Sequence, residues 1–276
     1  MILSAADFRN VERLRYIVSA ISAWNMGHQW ITEGDKKGRT PLHLASIYGY
    51  FHAVRFIVEE IIEACHDTDR RKRYINVLDN KGRTSLFHAV AEGRVSIARF
   101  LIERDADLES VTNDGHIEPG STALMACAEK NTVECFNLLM EKGADVLVVR
   151  KDGADAAYIA ARYGHLKIIQ RIAETKEIKE IVNRRTFRGR TALLTAAFHR
   201  HLDVCKVLLS KGANLNHQDD DKFTALIYAA SEGHYDIVNW LVRKGANVHI
   251  KNKFGETALM CANANGHTHI TKLLQR

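Results

Sequence analysis

The sequence predicts an all-α solenoid, a stack of helix-turn-helix units linked through hairpin-like fingers. Three observations predict it. First, the stretch Gly189 to Asn214 is restated by Lys222 to Asn247 at an offset of 33 residues: Thr-Ala-Leu at 191–193 returns at 224–226, and Gly-Ala-Asn at 212–214 returns at 245–247. Self-similarity at a fixed period of this size is the signature of a repeat architecture. Second, the back half of the unit carries apolar residues three and four apart, as in Ile237, Val238, Leu241 and Val242, which puts them on one helical face. Third, a single unit cannot bury that face alone, so its stability has to come from stacking on its neighbours.

Each part of the unit has a physical reason. A threonine opens the first helix at 40, 84, 122, 191, 224 and 257, with Asp155 in its place once; either side chain suits an N-cap that satisfies an orphan amide. Leu193, Leu226 and Leu259 follow two residues later and are expected to bury between units. The alanine pairs Ala196–Ala197 and Ala229–Ala230 let the next unit approach closely. Gly49, Gly93, Gly164, Gly233 and Gly266 stand where a left-handed residue closes the short helix. Arg200 replaces that glycine once, which predicts strain of about 1 kcal/mol, whereas Asn131 tolerates the geometry better.

The combination of finger, Thr-Ala/Pro-Leu turn, short helix, Gly-His, second helix and Gly-Ala-Asn/Asp resembles the ankyrin repeat. About ten positions recur together, and seven recognisable repeats plus a partial N-terminal one cover the chain as a single domain, 1–276. The partial repeat takes 1–34, and the others start near residues 35, 79, 117, 150, 186, 219 and 252. Insertions fall near 59–76, read as a lengthened second helix followed by a basic exposed loop, and near 113–121, read as a longer finger. The repeat at 150 has Ala157 where leucine is usual, a loss of roughly 2–5 kcal/mol of packing that makes it the expected soft joint. Its second helix ends in Glu174-Thr-Lys-Glu-Ile-Lys-Glu180 instead of Gly-Ala-Asn. The abrupt ends suit either short caps or a piece of a larger protein.

Composition narrows the function classes. Of 276 residues 46% are hydrophobic, with two prolines and no linker-like tract. No secretory signal follows Met1, and no apolar run approaches the roughly 18 residues of a membrane span. Five cysteines without CxxC spacing fit a reducing compartment. The expected location is intracellular and cytoplasmic, with nuclear import through Arg70–Arg73 as the functional reading of the one compact basic run; a solvated insertion is the plainer reading. The module is expected to be monomeric. A formal charge of +6 mildly favours acidic partners.

Catalytic chemistry finds no foothold. No GxSxG, Walker, HExxH or dinucleotide motif is present, so no enzyme, catalytic residue, metal or cofactor is expected. His165, His201, His234 and His267 recur at the Gly-His place, and the resemblance implies that they bond neighbouring backbone. His199 and His201, flanking Arg200, lack the spacing to share a zinc ion on one helical face. Cys127, Cys135, Cys205 and Cys261 read as small packed hydrophobes; Cys65, in the inserted segment, is the one expected to be reactive.

The resemblance implies a ligand surface on the concave side, made of finger tips and first-helix ends. Carried onto this chain, that surface is basic and studded with aromatics. Its densest patch is Arg162, Tyr163, Phe187, Arg188, Arg190, Phe198 and His199, with Tyr48, Arg39 and Arg83 further along. Exposed Tyr, Phe and Arg are the residue types of binding hot spots; the competing reading has the two phenylalanines packing sideways between repeats. The expected partner is an extended, acidic and partly apolar segment of another protein. Nucleic acid or another polyanion is the weaker alternative, because Asp220, Asp221, Glu92, Glu118 and Glu129 interrupt any basic track.

Overall fold

The computed structural model describes residues 32–62, 67–113 and 120–275. The N-terminal partial repeat up to residue 31, Cys65, Glu118 and the middle of the 113–121 insertion lie outside the described residues. The chain forms two compact units, the first ending at Asp145 and the second beginning at Val146. Among the described residues every regular element is helical.

In the first unit the helices are α1 (Pro41–Tyr48), α2 (Phe51–Phe56), α3 (Thr68–Ile75), α4 (Ser85–Ala91), α5 (Val95–Ile102), α6 (Ala123–Lys130) and α7 (Val133–Glu141). First helices stack on first helices, α1 on α4 and α4 on α6, while α2, α5 and α7 form a second row. The second unit repeats the plan. Its first-helix row is α8 (Ala156–Tyr163), α11 (Ala192–Phe198), α13 (Ala225–Ser231) and α15 (Ala258–Ala264). The second-helix row is α9 (Leu166–Ala173), α12 (Leu202–Ser210), α14 (Tyr235–Arg243) and α16 (Thr268–Leu274), with the short α10 (Ile178–Ile181) between α9 and the next finger.

The core of each unit lies between successive helix pairs. Leu193, Leu226 and the two alanine pairs are fully buried, as the pattern requires. Leu259, on α15, the last first helix among the described residues, is only half-buried. In the departing repeat Ala157 is buried, and α10 supplies Ile181 and, just past its end, Val182 to the core where Gly-Ala-Asn is missing.

The capping threonines behave as expected. The Oγ1 atoms of Thr84, Thr122, Thr191, Thr224 and Thr257 accept the amide three residues on at 3.1–3.4 Å, and Asp155 does the same for Tyr158 at 2.8 Å. Such a cap contributes about 1 kcal/mol. At Thr40 the arrangement is different: His43 Nδ1 accepts from both the Thr40 amide (3.1 Å) and its hydroxyl (2.8 Å). That leaves Nε2–H to donate to the Arg83 carbonyl at 2.9 Å, so one buried histidine ties two repeats.

Positive backbone angles fall where the repeat demands them, and not only on glycine. Gly164 has φ of 73°, and a Cβ there would lie 2.4 Å from the His201 ring. Asn131 (59°) and Arg200 (64°) take the left-handed turn at the same place, as does Lys222 (61°) at a finger turn where other repeats have glycine.

The insertion after α2 corrects one expectation. The second helix is indeed lengthened, running on as a π-helical segment over Ile57–Ile62. The basic run, however, is a helix and not a loop: α3 carries Arg70–Arg73, with Asp67 capping it through the Asp69 and Arg70 amides. An acidic cap and basic residues in the last turn both match the helix dipole, which is why this stretch winds up.

Candidate partner-binding site

In four of the fingers one side chain at the base organises the turn. Asp35 accepts the amides of Lys37 and Arg39, Asp79 those of Lys81 and Arg83, Asp219 those of Asp221 and Phe223, and Asn252 those of Phe254 and Glu256, all at 2.8–3.1 Å. Within the second unit each finger then bonds the previous one, Phe187 to the Asp152 carbonyl, Asp220 to Arg188 and Lys253 to Asp221.

On this frame a cleft of about 470 Å³ opens in the second unit. Tyr158 and Arg162 reach it from α8. Thr186, Phe187, Arg188 and Arg190 come from the finger; Leu194, Thr195 and Phe198 from α11, with His199 just past its end; and Asp152 and Tyr228 complete the lining. Six of the seven residues in the densest predicted patch thus share one cleft. Tyr163 is not among them; it is exposed and stacks on His165 at 5.7 Å. Arg39, Arg83 and Tyr48 belong to the first unit. There Arg39 and Arg83 pair with Asp35 (2.6 Å) and Asp79 (3.0 Å), and Tyr48 stacks on Tyr50.

The two phenylalanines differ. Phe187 is 78% exposed, far more than packing between repeats would leave. Phe198 is half-buried, edge-on to His199 at 4.9 Å and to Tyr228 of the next repeat at 5.4 Å, so for it the sideways reading holds in part.

The electrostatics of the cleft are those of cations in excess. Arg188 is exposed and makes no ion pair among the described residues. Arg190 lies over the Tyr228 ring at 5.3 Å and 3.6 Å from Asp219, too long for a hydrogen bond. Asp219 is held instead by the Tyr228 hydroxyl, which donates to it at 2.5 Å. Burial, and then that bond, push the Tyr228 phenol well above its usual range. Asp152, the carboxylate in the lining, is paired with Arg150 at 2.7 Å. Although burial works against it, those Arg150 bonds keep Asp152 below the usual carboxylate pKa. Burial, then the neighbouring His201, Arg162 and Arg190, lower the pKa of His199, which favours neutral imidazole.

The recurring histidines His201, His234 and His267 are scaffold, and the first two hold residues that line this cleft. The Nε2 atoms of His201, His234 and His267 bond the carbonyls of Arg162, Phe198 and Ser231 at 3.1, 2.9 and 2.9 Å. Cys127, Cys135, Cys205 and Cys261 are buried, and burial raises the thiol pKa to about 11 at Cys135 and Cys261 and about 12 at Cys205, which suppresses the nucleophilic thiolate. Among the described residues no three His, Cys, Asp or Glu side chains gather to hold a metal ion, and no helix is long and apolar enough to cross a membrane.

Sequence reasoning missed Asp152, Tyr158, Thr186, Leu194, Thr195 and Tyr228 as lining residues. For Tyr228 a signal existed: it stands nine residues after Asp219, as His88 does after Asp79, and both pairs are hydrogen-bonded. Tyr158 and Thr195 carry no comparable recurrence.

Comparison with known proteins agrees with this architecture. A family model described as ankyrin repeats (3 copies) matches residues 2–112, 110–181, 175–252 and 226–276. An ankyrin repeat and KH domain-containing protein of Caenorhabditis briggsae is 36% identical over 107 residues, 38% of this chain and 4% of the relative. Alpha-latrocrustotoxin-Lt1a of Latrodectus tredecimguttatus is 34% identical over 101 residues, 37% of this chain and 7% of the toxin. In each case the matched stretch is a small part of a far longer protein. Helical stacking, recurring caps and the family match over nearly the whole length lead to one conclusion: the chain belongs to the ankyrin repeat family, whose members are generally non-enzymatic protein–protein interaction modules.

Proposed function

We propose that this chain binds an extended, acidic and partly apolar segment of a partner protein, and that the cleft bounded by α8, α11 and the 186–190 finger is its principal contact. The observation that carries this reading is the gathering of Arg162, Arg188, Arg190, Phe187, Phe198 and His199 around one cleft. Aromatic walls supply apolar area at small entropic cost, and arginine supplies orientation and charge. The 186–190 finger is closed by its own backbone bonds, from the Thr186 amide to the Arg190 carbonyl and from the Gly189 amide to that of Thr186, and is tied to the finger on either side, so the site is pre-organised and little ordering is required of the protein.

A polyanion is the second reading. Against it, the acidic tips beside the cleft are present and engaged, Asp220 with Arg185 at 3.0 Å and Asp221 with Lys253 at 2.5 Å. They alternate with the cations along the fingers and break the continuous positive track that a phosphate backbone needs. The test is capture of partners by the wild-type chain beside an R188A/R190A/F198A variant, at low and physiological salt. A bound protein lost with the variant at both salts supports the reading; material captured equally by both and released by salt is nonspecific polyanion and contradicts it.

A further inference from the structure

We propose that the cleft of the second unit is a receptor for a phosphorylated tyrosine within the bound segment, an inference that rests on the peptide-binding reading above and names the chemistry of its anchor.

Three observations lead there. The first is size and wall chemistry together. A cleft of about 470 Å³ with aromatic side chains on its walls is larger than an aspartate or glutamate side chain fills. A ring with an anionic group beyond it uses both the apolar wall and the cations.

The second is charge. Arg162, Arg188 and Arg190 line the cleft, against a single lining carboxylate, Asp152, which Arg150 already neutralises. Asp219 offsets Arg190 only in part, because its oxygen is 3.6 Å from Nε and is committed to Tyr228. The remaining positive charge suits a dianion better than a monoanion, and the guanidinium fork matches phosphate oxygens.

The third is unfinished hydrogen bonding. Arg190 Nε and Thr195 Oγ1, two side chains lining the same cleft, are buried polar atoms with no hydrogen-bond partner. Buried donors are rarely left so, and each such group calls for an explanation. A phosphate seated beside Arg188 gives the Arg190 guanidinium an acceptor to turn toward. Asp219 holds Arg190 by charge and not by a hydrogen bond, and the turn exchanges the guanidinium's contact with the Tyr228 hydroxyl for the phosphate.

The experiment titrates the full chain with three probes: phenyl phosphate, phenylacetate and benzyl alcohol. Affinity is followed by nitrogen-15 NMR, reading the arginine Nε–H resonances. Phenyl phosphate should shift the Arg190 Nε–H signal and bind about tenfold tighter than phenylacetate, the size of one additional charge-assisted hydrogen bond. R188A should weaken phenyl phosphate by at least about tenfold, and R190K, which keeps charge and volume but loses the fork, by several-fold. Equal affinity for phenylacetate, equal affinity for benzyl alcohol, or phosphate binding that leaves Arg190 unmoved would each overturn the proposal. Should phenyl phosphate fail while an unphosphorylated acidic segment still binds and is lost in R188A/R190A/F198A, the phosphotyrosine anchor is wrong and the peptide-binding reading stands. Failure of both overturns the two together.

Discussion

Tyr228 donates its hydroxyl proton to the buried carboxylate of Asp219 at 2.5 Å, nine residues earlier in the chain, with the Arg190 guanidinium 5.3 Å from the Tyr228 ring centre. One bond therefore joins the base of a finger to the first helix it precedes, at the wall of the cleft. Asp219 also holds the Asp221 and Phe223 amides, so loss of the hydroxyl removes one of several donors. Tyr228→Phe is expected to destabilise the protein by about 1–3 kcal/mol, the cost of taking a partner from a buried charged acceptor. Urea unfolding measures it; an unchanged midpoint would show that Asp219 is satisfied without the phenol.

His43 makes stability depend on pH. Its ring is fully buried between Thr40 and the Arg83 carbonyl, and burial, with repulsion from His88, lowers its pKa from 6.5 to about 4. In the unfolded chain the imidazole protonates near 6.5, so between about pH 6.5 and 4 the unfolded state binds more protons. The contribution of neutral His43 is complete above pH 6.5 and is lost as pH falls toward 4. Wild-type stability should drop by roughly 3 kcal/mol more than that of His43→Gln over this interval. Parallel pH profiles of the two would contradict it.

Lys222 occupies a left-handed finger turn at φ of 61°. Relief of that strain is worth about 1–2 kcal/mol for an L-residue, less the extra unfolded-state entropy of glycine, so Lys222→Gly should be neutral to stabilising by about 1 kcal/mol. Thermal unfolding tests this. A clear fall in the midpoint would mean that the lysine side chain contributes more than its backbone costs.

How much of this was legible beforehand depended on recurrence. Thr84, Thr191 and Thr224 repeat at one place in the unit, so their caps and the stacking of Leu193 and Leu226 were readable from spacing, and the family resemblance implied the scaffold role of His201 and His234. The insertion recurs nowhere, and Arg70–Arg73 looked like a loop because the Asp67 cap had no periodic context. At the site, Phe187, Arg188 and Arg190 were visible because the family resemblance assigns finger tips to the ligand surface. Tyr158, Thr195 and Tyr228 were not, because a side chain that lines a cleft from within a helix follows the same apolar pattern as one that packs the core.

The central claim is that a pre-organised cleft in the second unit holds an acidic, partly apolar segment of another protein. The most direct measurement is the affinity of a captured partner segment for the wild-type chain and for R188A/R190A/F198A, with circular dichroism confirming that both are folded. The cleft account predicts a loss of at least about a hundredfold, equivalent to roughly 2.7 kcal/mol, from three clustered hot-spot residues. Equal affinity of the two folded proteins would contradict it and place the partner elsewhere on the chain.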